Sequence, residues 1–177
     1  MSISESYKEI IQRCAKNDEN FVISNGHASH ATFLFKTFFE KAQSEICVLS
    51  GQLYEEVFDN NELINQAISF LEGNKERTLK IAFRDNVPPT EILNRGFVKA
   101  LISKPEIKDQ IKIWNASASC QDIISNHFAV IDAKAFRFEI DHENRKAIAN
   151  FGDKKSAETL DILFDLVVSQ SEKVTIP

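Results

Sequence analysis

Short apolar runs that alternate with amphipathic stretches limit the fold of this 177-residue chain more than any other feature. Residues 45–50 (EICVLS) form a run that is typical of a strand covered on both faces of a sheet. Residues 30–43 and 154–169 instead carry their apolar side chains at helical spacing. Strands that alternate with helices predict an α/β fold, here a mixed β-sheet sandwiched between helices.

The same patterns predict the remaining elements. Helices are predicted over residues 4–16, 30–43, 60–71, 90–103 and 154–169. Strands are predicted over residues 21–24, 45–50, 78–84, 108–114, 127–131, 135–140 and 146–151. Ser4, Ser29 and Asp153 precede three of the helices and are expected to cap them.

Sheets of this kind bind ligands beyond the strand ends, where the loops converge. Any chemistry is therefore expected at residues 24–30, 50–53 and 84–86 and in the loop before His127. Because no repeat or Pro/Gly-rich linker interrupts the pattern, residues 1–177 are predicted to form a single domain, with residues 1–20 as an N-terminal helical extension.

The charge and the cysteines narrow the classes of function. The net charge of -5, with acidic and basic residues interspersed, argues against a basic face that grips many phosphates. Cys14, Cys47 and Cys120 are odd in number and widely spaced, which fits neither a disulfide framework nor a metal motif. No apolar leader or membrane span is present, so the expected location is cytoplasmic, with no membrane partner. No phosphate-binding loop, dinucleotide fingerprint or zinc spacing occurs, so neither a cofactor nor a metal is predicted.

The segment that begins at Asn126 carries the most specific pattern. NHFAVIDAKAFRFEID, followed by KAIANFGD and an apolar helix, resembles the C-terminal half of a phospholipase-D-like domain. That superfamily carries an HxKxxxxD motif at the start of a strand hairpin and a GSxN-type turn after the second strand. The upstream order of helices and strands also matches, so the resemblance extends over residues 21–169.

The resemblance implies a definite chemistry. One histidine attacks phosphorus and forms a covalent phosphohistidine, while a second histidine protonates the leaving oxygen. Lysines neutralise the charge that develops on the phosphoryl oxygens. A single domain supplies only one such histidine, so the resemblance implies a symmetric homodimer.

The sequence departs from the motif in either possible register. If His127 is the nucleophile, Ala129 replaces the lysine and Lys134 stands in the position of the aspartate. If Asp132 holds the place of the aspartate, Ser125 takes the position of the histidine and His127 that of the lysine. Both registers lose the phosphate-binding lysine, and the turn at residues 139–142 has neither glycine nor serine.

The candidate site residues follow from the resemblance and from the hairpin. Arg137 and Glu139 share one face of their strand, so they either converge on His127 or form a solvated face. His27 and His30 stand at a helix entry that can bind an anion or is simply capped. Asp132 is either catalytic or a turn aspartate that bonds its own backbone. The predicted catalytic residues are His127, Asp132 and Glu139, and the predicted ligand-binding residues are Asn126, Lys134, Arg137, His27 and His30.

Two hypotheses of different class remain, beside a third in which the hairpin match is accidental and the α/β domain unrelated. The first is a dimeric binding or regulatory module with a degraded motif that acts on nucleic acid, a phosphorylated ligand or a protein partner. The second is a metal-independent phosphodiesterase or nuclease that uses His127 as its nucleophile and Lys134 or Arg137 as its charge clamp. The missing lysine and the acidic balance favour the first, and so a protein without catalytic activity.

Overall fold

Eight strands form one mixed sheet in the computed structural model, which describes residues 3–116 and 124–177. In chain order the strands are β1 (Ile23–Asn25), β2 (Glu45–Ser50), β3 (Thr78–Phe83), β4 (Ile111–Ala116), β5 (Phe128–Ile131), β6 (Ala135–Asp141), β7 (Lys146–Asn150) and β8 (Ser171–Lys173). Their spatial order is β1-β7-β6-β5-β2-β3-β4-β8. β2, β3 and β4 are mutually parallel, and the other neighbouring pairs are antiparallel. This sheet confirms the predicted α/β class.

Helices cover both faces of the sheet. They are α1 (Glu5–Asn17), α2 (Ala28–Lys41), α3 (Glu55–Phe58), α4 (Asn61–Glu72), α5 (Pro89–Asn94), α6 (Gly96–Ile102) and α7 (Lys154–Ser169), with a 3-10 turn at Pro105–Gln110. The larger core lies between one face of the sheet and α1 to α6. Leu160, Phe164 and Val167 of α7 pack against the other face in a smaller core.

Strand direction brings the expected ligand-binding loops to one edge of the sheet. β1, β2 and β3 all end at this edge, and β5 begins there because it runs antiparallel to β2, with Phe128 opposite Leu49. The residues that follow β1, β2 and β3 therefore lie at the same end of the strands as His127. We call this side of the sheet the His127 edge.

A carboxylate contact divides the helix that was predicted over residues 90–103. The chain is extended at Arg95, with φ −57° and ψ 131°, and α6 begins at the next residue. Asp59 Oδ1 accepts a hydrogen bond from the backbone N–H of Phe97 at 3.1 Å. Asp59 therefore caps a second helix where the pattern alone predicted one continuous helix.

The expected helix caps are confirmed in two cases and wrong in one. Ser4 accepts a hydrogen bond from Tyr7 N, and Asp153 accepts one from Ser156 N. Ser29, however, lies inside α2, whose N-cap residue is His27 and has no side-chain capping bond. The helix starts earlier than predicted because the chain turns directly out of β1.

None of the described helices is both long and apolar enough to cross a bilayer. Cys14 and Cys47 are buried free thiols. Cys120 lies outside the described residues.

Candidate functional site

His127 lies just before β5, at the His127 edge of the sheet. Only 5% of its surface is exposed. Its Nε2 accepts a hydrogen bond from the backbone N–H of Gly51 at 3.1 Å. Its Nδ1 lies 3.2 Å from Oε2 of Glu139. Because Nε2 acts as an acceptor, the proton of the neutral ring is on Nδ1, on the side that faces the carboxylate of Glu139. Both ring nitrogens are therefore engaged within the domain.

Burial lowers the pKa of His127 to about 4, although the carboxylate of Glu139 acts in the opposite direction. The positive charge of Arg84 adds to the lowering. The imidazole is consequently neutral at pH 7, in agreement with its role as an acceptor from Gly51.

Gly51 allows this contact because it has no side chain. A Cβ at this position would stand 2.3 Å from Oδ2 of Asp85 and 3.1 Å from Nε2 of His127. Arg84 pairs with Asp85 at 2.9 Å and donates a hydrogen bond to the carbonyl of Ser125. The loops that follow β2 and β3 thus enclose His127. They are two of the loops at which the sequence predicts a site.

His142 is a site residue that sequence reasoning missed. Its Nδ1 lies 3.0 Å from the same Oε2 of Glu139, and its side chain is 50% exposed. The rings of His127 and His142 meet edge to face at 5.0 Å. The sequence pattern places residue 142 only in the turn after β6. The signal that could have found it is its position three residues after Glu139, in the segment that aligns with the GSxN turn.

Glu139, His127 and His142 offer three ligand atoms that lie within 4.8 Å of one another. Two histidines and a carboxylate suit a zinc ion. However, a metal on Nδ1 of His127 would move the ring proton to Nε2, which faces the N–H donor of Gly51. This donor–donor conflict disfavours a metal, so the cluster fits hydrogen bonding better than ligation.

Arg137 lies on the same face of β6 as Glu139, between Ala129 of β5 and Ala149 of β7. The small alanines leave space for its long side chain, whose Cζ lies 6.0 Å from the ring of Phe35. Within the described part of the chain, its buried Nε has no hydrogen-bond partner, and its guanidinium forms no ion pair. Burial lowers the pKa of the Arg137 guanidinium.

Two small cavities adjoin Arg137 between α2, α3 and the sheet. Each has a volume of ≈ 40 Å³, which is space for about three water molecules. The residues that line both are Ala31, Tyr54, Val57, Arg137 and Glu139. We call the pair the Arg137 cleft.

The two histidines predicted as ligand-binding residues near the start of α2, His27 and His30, take different positions. Asn25 is 2% exposed and lines the cleft, together with the exposed His27. His30 instead stacks on the ring of Tyr7 with a centroid separation of 4.0 Å. His27 therefore lies at the mouth of the cleft, and His30 packs beside it.

Asp132 and Lys134 are separated from His127 by the length of β5, about 16 Å at the usual rise of a strand. The carboxylate of Asp132 accepts hydrogen bonds from the backbone N–H groups of Gln43, Ser44 and Glu45 at 2.7–2.8 Å. Burial alone would raise the pKa of Asp132, but these bonds hold it below its usual value. Asp132 thus anchors the loop before β2, and neither it nor the exposed Lys134 shares the site.

Asn126, by contrast, is close to the histidine but acts on the backbone. Its Nδ2 donates a hydrogen bond to the carbonyl of Glu139 at 2.8 Å. This bond joins the segment before β5 to β6.

No protein-family model and no curated protein sequence matches the chain. Solved structures do match it. Nuc of Salmonella typhimurium, a phospholipase D family member, aligns with a TM-score of 0.56 and 11% identity over 86% of this chain and 95% of its own. The chain has a phospholipase-D-like fold.

Two further structures align with this phospholipase-D-like domain. NucT from Helicobacter pylori has a TM-score of 0.58 and 9% identity over 86% of this chain and 97% of its own. TrmBL2, an archaeal chromatin protein with a novel mode of DNA binding, has a TM-score of 0.60 and 16% identity over 96% of this chain. The domain spans 62% of the length of that chromatin protein.

Proposed function

We propose that this phospholipase-D-like domain binds a ligand without cleaving it, as a dimeric binding or regulatory module of the cytoplasm. The observation that carries the proposal is the engagement of both ring nitrogens of His127. An attack on phosphorus needs a free lone pair on the imidazole and space for the phosphoryl group beside it. Here Nε2 accepts from Gly51, Nδ1 lies 3.2 Å from the carboxylate of Glu139, and the ring is buried.

The charges around the histidine support the same proposal. The motif lysine is missing in both registers, and Lys134 lies at the far end of β5. The arginines near the histidine stand beside carboxylates: Arg137 is two residues from Glu139 on β6, Arg84 is paired with Asp85, and Arg145 is paired with Glu56. A phosphoryl transition state would thus lack the several kcal/mol that paired cations provide, about 3–4 kcal/mol for one well-placed group.

The acidic net charge of -5 favours a compact ligand or a protein partner over duplex DNA held by many phosphates. Both the small cavities and the acidic net charge agree with a small ligand. Because the chromatin protein of similar fold binds DNA, nucleic acid is also a partner to be tested.

A second candidate function is a metal-independent phosphodiesterase that uses His142 in place of His127. A half-exposed imidazole whose Nδ1 is held by a buried carboxylate resembles an oriented catalytic histidine, with Nε2 on the open side of the ring. In a homodimer, two such rings would have to face each other to supply both the nucleophile and the acid.

A cleavage assay separates these functions. The purified protein is incubated with single-stranded DNA, double-stranded DNA and a phosphodiester reporter, with His127→Ala and His142→Ala as variants. We expect no turnover by any of the three proteins. Turnover that His142→Ala abolishes would establish the second candidate, and turnover that His127→Ala abolishes would establish the nucleophile predicted from the motif. Sedimentation of the same samples tests the dimer, which a monomer at all concentrations would contradict.

A further inference from the structure

The unsatisfied polar groups around the Arg137 cleft are donors. The amide Nδ2 of Asn25 and the Nε of Arg137 are buried and have no hydrogen-bond partner among the residues that the structure describes. Burial raises the pKa of the nearby Tyr7 hydroxyl to about 12, while the Asn25 amide lowers it, but the two groups do not meet in hydrogen-bond geometry. Tyr7 donates instead to the carbonyl of Ser24 at 2.9 Å.

The N-terminus of α2 adds further donors at the same place. The helix has 14 residues, and its N-cap residue His27 makes no side-chain capping bond. The first N–H groups of a helix have no partner within the helix and carry the positive end of its dipole. His27 and Ala28 line the cleft, so the N-terminus of α2 forms part of the wall of the cleft.

The two carboxylates that line the cleft, by contrast, already face positive or N–H groups. Glu139 is hydrogen-bonded to Nδ1 of His142 at 3.0 Å and lies 3.2 Å from Nδ1 of His127. Glu56 is paired with Arg145 at 2.7 Å. Buried donors without partners are rare in native proteins and mark the place of a missing acceptor. A ligand that completes the cleft must therefore bring oxygen acceptors with negative charge.

We propose that the Arg137 cleft binds the carboxylate or phosphate group of a small molecule, with Arg137, Asn25 and the N-terminus of α2 as its donors. The inference rests on the proposed binding function and names the ligand class of that function. A guanidinium binds such oxyanions through two parallel hydrogen bonds. A helix N-terminus supplies backbone N–H groups to the remaining oxygens.

The size of the cleft limits the ligand to one small head group. A cavity of ≈ 40 Å³ accommodates about three water-sized atoms, which matches a carboxylate or the outer oxygens of a phosphate. A nucleobase is too large for this space. The remainder of the ligand would leave the cleft past the exposed ring of His27, which lines its mouth.

The test is calorimetric titration of the full chain with sodium phosphate and with sodium acetate, at an ionic strength that is kept constant with chloride. Arg137→Met removes the charge of the donor and keeps most of its length. Lys134→Met removes the same charge from the other end of the same hairpin and is the matched control. Asn25→Asp replaces the unpaired amide by a repelling carboxylate and gives a second variant.

We expect phosphate or acetate to bind the wild-type protein and the Lys134→Met control equally, and Arg137→Met and Asn25→Asp to bind at least about tenfold more weakly. Whichever of the two anions binds more tightly identifies the head group. Because the described residues 3–116 and 124–177 supply no ion pair for the Arg137 guanidinium, Arg137→Met should unfold at a higher temperature than the wild type when no oxyanion is added.

Absence of binding of either anion up to about 50 mM, or equal binding by Arg137→Met and wild type, would overturn the inference. Binding of an oligonucleotide that neither anion displaces would also overturn it. These outcomes leave the cleavage assay unaffected, so a failed oxyanion site is distinguishable from a failed binding function.

Discussion

At the scale of single residues, the ionisable imidazole of His127 serves as a neutral hydrogen-bond acceptor inside the fold. Gly51 donates to Nε2, and the carboxylate of Glu139 lies 3.2 Å from Nδ1, which favours the neutral tautomer with its proton on Nδ1. Protonation would set an N–H on Nε2 against the N–H of Gly51. The ionisable groups around the ring are Glu139, His142, Arg84 and Asp85, and burial outweighs their combined effect on its pKa.

This environment predicts a loss of stability in weak acid. The pKa of His127 is about 4 in the folded protein and about 6.5 in an unfolded chain. Between these values the unfolded state binds more protons, so the free energy of unfolding decreases as the pH falls from 6.5 towards 4. We expect a decrease of about 1–2 kcal/mol from this group between pH 7 and pH 5, measured by urea denaturation.

The contribution of His127 is isolated by comparison with His127→Asn, whose amide can still donate to Glu139. This variant should be less stable at pH 7, and its stability should depend less steeply on pH than that of the wild type. Parallel pH profiles for the two proteins would contradict the assignment.

At the scale of the elements, the division between α5 and α6 depends on a contact from outside the helices. Asp59 follows α3 and caps the first turn of α6. A Cβ at Gly96 would stand 2.4 Å from Oδ2 of Asp59, so the carboxylate approaches only because residue 96 is glycine.

Gly96→Ala is therefore expected to destabilise the protein, although alanine is the better helix former. Displacing the cap should lower the free energy of unfolding by about 1–2 kcal/mol in urea denaturation. In an Asp59→Ala background the same substitution should be neutral or stabilising, because the clash is gone. A cost that is equal in both backgrounds would show that the cap does not cause it.

At the scale of the whole molecule, one sheet separates two cores. The larger core holds α1 to α6, and the smaller core holds α7 with Trp114 packed edge to face on Phe164 at 6.4 Å. Because β2, β3 and β5 contribute side chains to both cores, neither core can lose its packing without disturbing the other. The single domain of residues 1–177 stays a prediction, which unfolding can test.

Unfolding in urea should accordingly be a single cooperative transition. Fluorescence of Trp114, the one tryptophan of the chain, reports the smaller core. Circular dichroism at the helical band reports mainly the six helices of the larger core. We expect the two midpoints to coincide, and two separate midpoints would show that the cores are independent domains.

The sequence determined the elements whose signals are local. The apolar run at residues 45–50 and the capped helix at residues 154–169 were predicted with the bounds that the structure shows for β2 and α7. The short α3 and the exposed edge strand β8 were not predicted, because four and three residues are too few to show a period.

For the site, the alternation along β6 was enough to predict that Arg137 and Glu139 share a face near His127. The hydrogen bond from Gly51 to His127 joins residues 76 positions apart, and the anchoring of Glu45 by Asp132 joins residues 87 apart. Spacing within a sequence cannot predict such contacts, because they arise only when β2 pairs with β5.

The resemblance that began at Asn126 was thus sufficient to predict a phospholipase-D-like fold, which the solved structures confirm. Only the tertiary structure decided that His127 faces inward with both nitrogens engaged, that His142 takes the open side of Glu139, and that Asn25 comes to the same cleft as Arg137. The physical reason is that apolar periodicity specifies which face of an element is buried, whereas the partner of each polar group depends on the pairing of distant strands.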